Sequence, residues 1–225
     1  MIIYKTAEEI AAMKKSGQLV AQILGELKAM VKPGTKTREL DEYSEARAKE
    51  LGAVAAFKGY RGYPASLCTS VNEEIIHGIP SSRVLREGDI IGLDFGVLYE
   101  GYYGDAAVTV PVGAVSATAQ KLIAAAEEAF WRGLAQLRPG NRVSDISHAI
   151  QSYVESQGFS VIRSFVGHGI GLSLHEEPQV PNFGPPGRGP KLRKGLTLAL
   201  EPMIAAGDFE EEILADGWTA VTRDR

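Results

Sequence analysis

The chain has 225 residues, 44% hydrophobic and 23% charged, the proportions of an ordinary globular protein of one or two domains with a real core. A net charge of −4 with no run of Lys or Arg gives no support to a nucleic-acid partner, and the single cysteine, Cys68, excludes an intrachain disulfide. No apolar run approaches bilayer length, and "MIIYKTAEEI" at the start lacks a signal-peptide pattern, so a cytoplasmic protein without a membrane partner is expected.

Thr6 and Glu9 form a capping box. Apolar residues then recur at Ile10, Met13, Val20, Ile23, Leu24, Leu27 and Val31, which predicts a helix with one core-facing stripe. Pro33 and Gly34 stop it. "VKPGTKTRELDEYSEARAKELGA" from Val31 then has a counterpart in "LRPGNRVSDISHAIQSYVESQGF" from Leu137, each a Pro-Gly turn, a helix and a terminating glycine. "REGDIIGLD", ending at Asp94, likewise matches "RKGLTLALE", ending at Glu201. The two offsets agree to within about one residue and are too long for a solenoid repeat. They predict one α+β domain over 1–225, built from duplicated halves, roughly 1–112 and 113–225. The first helix and a helix over Leu122–Leu137 also correspond roughly.

Duplication puts Asp94 and Glu201 at equivalent points, each ending a short apolar strand. A lone acid there reads as a structural carboxylate bonded to backbone amides. Two at matched positions point to a shared site, because a buried carboxylate needs a partner or a metal. Beyond Asp94, Glu100-Gly101 forms a two-residue hairpin turn between Tyr99 and Tyr102. That register sets residue 96 opposite 105 and 94 opposite 107. Asp94 and Asp105 become diagonal neighbours on one face, roughly 7–8 Å apart in the backbone, a spacing that suits two metal ions.

In "VGHGIGLSLHEEPQV" the glycines at 167, 169 and 171 argue against a helix, so His168 and His175 are not a helical zinc pair. The local pattern leaves open whether they are ligands, an acid–base pair or structural residues. His77 lies in a loop-like stretch before Pro80, and His148 sits off the apolar stripe of a helix over 144–157, facing solvent. An oxygen-rich set with one histidine would favour Mn, Fe, Co or Zn.

"GYRGYP", "NEEIIHGIP", "LDFGVLYEGYYGD", "GHGIGLSLHEEPQV", "LEPM" and "DGWTAVTRDR", in that order, resemble the type I methionine aminopeptidases of peptidase family M24, in the short bacterial form. The resemblance spans the chain. It implies a pita-bread fold, two pseudo-symmetric α+β halves around a central antiparallel sheet. It also implies removal of the initiator methionine from nascent proteins and peptides with a small second residue. Asp94, Asp105, His168 and Glu201 would be ligands of two divalent ions (Co, Mn, Fe or Zn), Asp105 bridging both, with Glu201 also moving the proton. His77 and His175 would act on the scissile carbonyl and contact substrate. Phe57, Tyr60, Tyr63, Cys68, Leu174 and Trp218 would line the methionine pocket. The partners implied are nascent N-termini, with ribosome contact open to such an enzyme, and a monomer is expected.

The family's second bridging glutamate lies on a strand beyond Arg225, so that strand is expected to be missing here. Glu210, Glu211 and Glu212 read as solvated charge rather than its substitute. Two other functions share the fold: a binding module without catalysis, and an aminopeptidase P or prolidase-like enzyme, which usually carries an additional N-terminal domain.

Overall fold

A computed structural model describes residues 1–224. The chain separates into two compact units. One comprises Ala11–Gln120 with Glu212–Val221, and the other Met1–Ile10, Lys121–Glu211 and Thr222–Asp224. They are called here the N-terminal and C-terminal halves.

In the N-terminal half, α1 (Ala7–Met30, its first turn assigned to the other half) and α2 (Thr37–Glu50) pack on one face of an antiparallel sheet. That sheet holds β1 (Val54–Ala55), β2 (Leu67–Val71), β4 (Ile90–Tyr99) and β5 (Tyr102–Pro111). Strand β4 pairs along its length with β5 and, on its other edge, with β1 and then β2. Alternation decides which face is which. Ile91, Leu93, Phe95 and Val97 enter the core with Val20, Ile23, Leu27 and Leu40 from the helices, so residues 92, 94 and 96 point the other way. Gly104 lets α1 approach the core face: a Cβ there would lie 2.7 Å from the Ser16 carbonyl carbon. The Ser16 hydroxyl closes the same contact, reaching the Tyr102 carbonyl at 3.0 Å. The short strand β3 (Glu74–Ile76) pairs with β12 (Ala220–Thr222) in a sheet that also holds β11 (Glu211–Ile213).

In the C-terminal half, α3 (Ala117–Leu134) and α4 (Val143–Ser156) cross closely at Gly133, where a Cβ would lie 3.0 Å from Ile150. Ile146, Ile150, Val154, Val161 and Val180 form the core beneath them. The strands are short: β6 (Ser160–Val161) pairs with β10 (Ile204–Ala205), and β7 (Gly167–Gly169) lies between β8 (Glu176–Val180) and β9 (Leu198–Ala199).

The duplicated sequence folds into duplicated local structure. Gly34 and Gly140 turn the chain at φ of 95° and 100°, which glycine tolerates best. One residue of the first turn of each following helix then caps it. The Glu39 carboxylate accepts from the Lys36 N–H at 3.1 Å, and Asp145 from Arg142 N–H at 2.7 Å. Both cap residues also bridge a later extended segment, Lys36 to Val84 and Arg142 to Lys191. One expected boundary moves. The third helix begins at Ala117 rather than Leu122, because the Ser116 hydroxyl caps it through Ala119 N–H, and it ends at Leu134, before the exposed Leu137.

Candidate active site

The Asp94 and Asp105 carboxylates sit as the hairpin register requires. Tyr99 pairs with Tyr102, Gly96 with Asp105 and Asp94 with Ala107, with Glu100 and Gly101 at positive φ in the turn. Cys68 on β2 is the cross-strand partner of Asp94, so its side chain shares that face. Phe57 lies over Gly96, where a Cβ would meet its ring at 2.7 Å, and so joins the same face.

The remaining wall comes from two loops. Gly59 turns the chain at φ 84°, a 3-10 turn over Tyr60–Gly62 follows, and Tyr63 emerges buried, donating to the Leu67 and Gly78 carbonyls at 3.2 and 3.1 Å. Tyr60 begins that turn. His77 lies in a loop, as expected, directly after β3 and at φ 61°, and Gly78 follows so tightly against β2 that an added Cβ would collide with the Thr69 carbonyl. The Trp218 ring stands edge-on to both Tyr63, at 5.1 Å between centroids, and His77, at 6.0 Å. Its backbone is fixed by Asp216, which accepts from Trp218 N–H at 2.8 Å, Thr219 N–H at 2.9 Å and the Thr219 hydroxyl at 2.6 Å.

These surroundings set the chemistry of the wall. Burial, and then the Asp94 charge, hold the Cys68 thiol well above its ordinary pKa, so it is a neutral lining group rather than a nucleophile. Burial likewise raises Tyr63, with Cys68 and Asp94 adding to it. Burial lowers His77, which favours the neutral imidazole at physiological pH.

In the C-terminal half His168 is the middle residue of β7, paired with Gln179 on one side and Ala199 on the other. Gly167 and Gly169 flank it because neither position has room for a Cβ, which would strike the Ala199 and Glu177 carbonyls. The His168 ring is buried, with Nδ1 2.8 Å from the Gly169 carbonyl and Nε2 3.1 Å from Glu201 Oε1. A carbonyl partner assigns the hydrogen to Nδ1. Nε2 then presents its lone pair to a carboxylate oxygen, a pairing that a shared cation or proton relieves. This is the arrangement of a metal-binding imidazole whose other nitrogen donates to a carbonyl. Glu201 is held in turn by Asn182, whose side-chain amide donates to its carbonyl at 2.7 Å. The His175 ring lies 4.0 Å from that of His168, in an exposed position, and Leu174 beside it is 2% exposed.

Among the described residues, no three or more His, Cys, Asp or Glu side chains gather into a metal-sized group. Of the four expected ligands, Asp94 and Asp105 belong to the N-terminal half, and His168 and Glu201 to the C-terminal half. The donor set of three carboxylates and one imidazole fits a divalent ion of the Mn, Fe, Co or Zn kind. His148 is exposed on α4, as expected, and Glu210 pairs with Arg223 at 3.1 Å. Reading the sequence alone missed Asp216 and Asn182 as supports. The Asp-Gly-Trp run carries the signature of an Asx turn, whereas nothing local marks Asn182.

Residues 11–222 match the profile of metallopeptidase family M24. The chain is 52% identical over 224 residues to methionine aminopeptidase 1 of Bacillus subtilis and 51% identical over 225 to the methionine aminopeptidase of Clostridium acetobutylicum. Each match covers all of this chain and 90% of the relative. The crystal structure of methionine aminopeptidase from Thermotoga maritima shares 47% identity at a TM-score of 0.98, over all of this chain and 90% of that one. The prolidase of Pyrococcus horikoshii, at 22% identity, shares the fold with a TM-score of 0.76, over 90% of this chain and 56% of that one. The chain belongs to metallopeptidase family M24, among the methionine aminopeptidases, and its α+β halves form the pita-bread fold of that group.

Proposed function

We propose that the chain removes the N-terminal methionine from nascent polypeptides and peptides by metal-dependent hydrolysis, preferring a small second residue. The observation that carries this reading is the pairing of Cys68 with Asp94, which puts an apolar wall one strand away from a candidate ligand. Phe57, Tyr63 and Trp218 extend that wall, and Tyr60 and Leu174 complete the proposed set of pocket residues. Aromatic edges and a neutral thiol suit an unbranched, polarizable thioether.

Asp94, Asp105, His168 and Glu201 are the residues that would hold two divalent ions. Such ions, when bound, supply Lewis acidity and an activated water. The chain's own residues supply the rest. His77, kept neutral by burial, and His175, exposed beside His168, donate to the carbonyl oxygen as charge develops on it. Glu201 moves the proton from the attacking water to the departing amine. The Cys68 and Tyr63 wall selects methionine.

The protein is proposed to act as a monomer in the cytoplasm, on chains emerging from the ribosome. Among the described residues no helix is long and apolar enough to cross a membrane. A peptide panel tests the reading. Met-Ala-Ser should be cleaved and Ala-Pro peptides left intact, with Met-Leu-Ser much slower than Met-Ala-Ser. Preference for the Ala-Pro series would assign a prolidase-like activity instead. Metal binding without cleavage of any peptide would make the chain a binding module.

A further inference from the structure

Outside the proposed machinery, the most deeply buried charge in the C-terminal half is Lys5. Its side chain is 2% exposed and that of its ion-pair partner Glu176 is 5% exposed. A lysine is rarely buried to this degree without a paired anion. The pair joins residues 171 positions apart, and it sits where the proposed chemistry is. Glu176 follows His175 directly. One Glu176 oxygen takes the Lys5 ammonium, and the other accepts from Ser173 N–H at 3.2 Å. The Gly171 N–H donates to the Ser173 carbonyl at 3.1 Å, closing the turn that runs from Gly171 to Glu176. The lysine stem lies against the start of that turn, since a Cβ on Gly171 would overlap Lys5 Cε and come within 2.8 Å of Glu176 Oε1. Lys5 is itself anchored through its backbone, donating from N–H to the Gly195 carbonyl at 2.7 Å.

We infer that Lys5 is a positioning residue for catalysis: its ammonium fixes Glu176, which fixes the turn carrying Leu174 and His175. The inference rests on the reading of His175 as a substrate-contacting donor. It gives the first six residues a role in the site that a solvent-exposed N-terminal segment would not have. The turn joins β7 to β8, and at its far end Glu176 pairs with Gly169. His175 is exposed, and its ring lies 4.0 Å from that of His168. A carboxylate oxygen that has lost its cation in a buried setting will seek water or another donor, and the Ser173 bond moves with it.

The test uses steady-state cleavage of Met-Ala-Ser by the metal-loaded full chain, together with bound-metal content and thermal melting. Lys5→Met should lower kcat about 10- to 100-fold, with KM and bound metal changed far less, since a displaced donor costs rate more than binding. Lys5→Arg should recover most of it. If Lys5→Met does not fold, Lys5→Met/Glu176→Met leaves no unpaired buried charge and should fold with the same kcat loss. Introducing Lys5→Met into His175→Ala should cost little further rate, because both changes remove one function. A folded Lys5→Met or double variant with wild-type kcat overturns the inference, as does a full additional loss in the His175→Ala background. If His175→Ala alone leaves kcat unchanged, the reading of His175 has failed instead, and the two failures are distinguished.

Discussion

The N-terminal half carries its two candidate ligands on a hairpin of ten-residue strands, with an unbroken register from Ile90–Pro111 to Tyr99–Tyr102. The C-terminal half carries His168 on a three-residue strand and Glu201 two residues beyond a two-residue strand, with a register shift between His168 and Gly169. A long ladder specifies itself, because a one-residue slip would turn Asp94 and Asp105 into the core face. A short one is held by what surrounds it: two glycines with no room for a Cβ, the Asn182 amide on the Glu201 carbonyl, and the Gly171–Glu176 turn. Candidate ligands are placed by register in one half and by close packing in the other.

The largest effects should ignore that difference. Asp94→Ala, Asp105→Ala and His168→Ala should each remove metal and methionine release together, because each deletes a proposed ligand. Bound metal after gel filtration checks this. Full metal and turnover in any one of the three would strike that residue from the set. Next come the two histidines proposed to act on the carbonyl, one from each half. His77→Ala and His175→Ala should each lower kcat by about 10²–10³ while metal stays bound, the usual cost of one transition-state donor. Loss of metal in His175→Ala would make it a ligand.

How much of this could be read from the sequence follows the same division. The Glu100-Gly101 turn fixed a register that the structure repeats pair for pair, and with it the shared face of Asp94 and Asp105. The matched Pro-Gly turns announced α2 and α4, and the helix expected over 144–157 spans Val143–Ser156. The short elements were harder. Strand β3 before His77 is three residues long and has no period to detect, and its partner β12 is more than 140 residues away. The 3.1 Å approach of His168 to Glu201 and the burial of Lys5 against Glu176 depend on tertiary packing, which local pattern does not encode.

A moderate effect sharpens the comparison directly. Gly167→Ala places a Cβ against the Ala199 backbone carbonyl, which cannot swing aside, and should cost about 1–3 kcal/mol. Gly92→Ala, on the long strand, meets Ser70 at 3.6 Å, an ordinary contact, and should cost well under 1 kcal/mol. Denaturant unfolding of both variants measures the difference, and equal losses would mean that the short strands are no more tightly constrained than the long ones.

The smallest effect lies far from the site. Hydrogen bonds from Arg47 and then Gln22 hold the Glu26 carboxyl at a pKa of about 2, below its ordinary 4.5. A lowered folded-state pKa contributes stability that is present above about 4.5 and lost as pH falls through about 2. Glu26→Gln should therefore be less stable than wild type by about 1 kcal/mol or less at neutral pH, as for a surface pair. The gap should close between pH 4.5 and 2. A gap that stays constant over that range would assign the loss to packing rather than charge.

The central proposal is that methionine release by this chain depends on divalent metal held by the proposed ligands. It is tested most directly by stripping the enzyme with chelator, titrating back Mn, Fe, Co or Zn in a calorimeter, and following methionine release from Met-Ala-Ser in the same samples. The account requires no release from the stripped enzyme, release that rises with bound metal, and uptake approaching two ions. Methionine release undiminished after complete metal removal, or two bound ions with no release under any of the four metals, would contradict it.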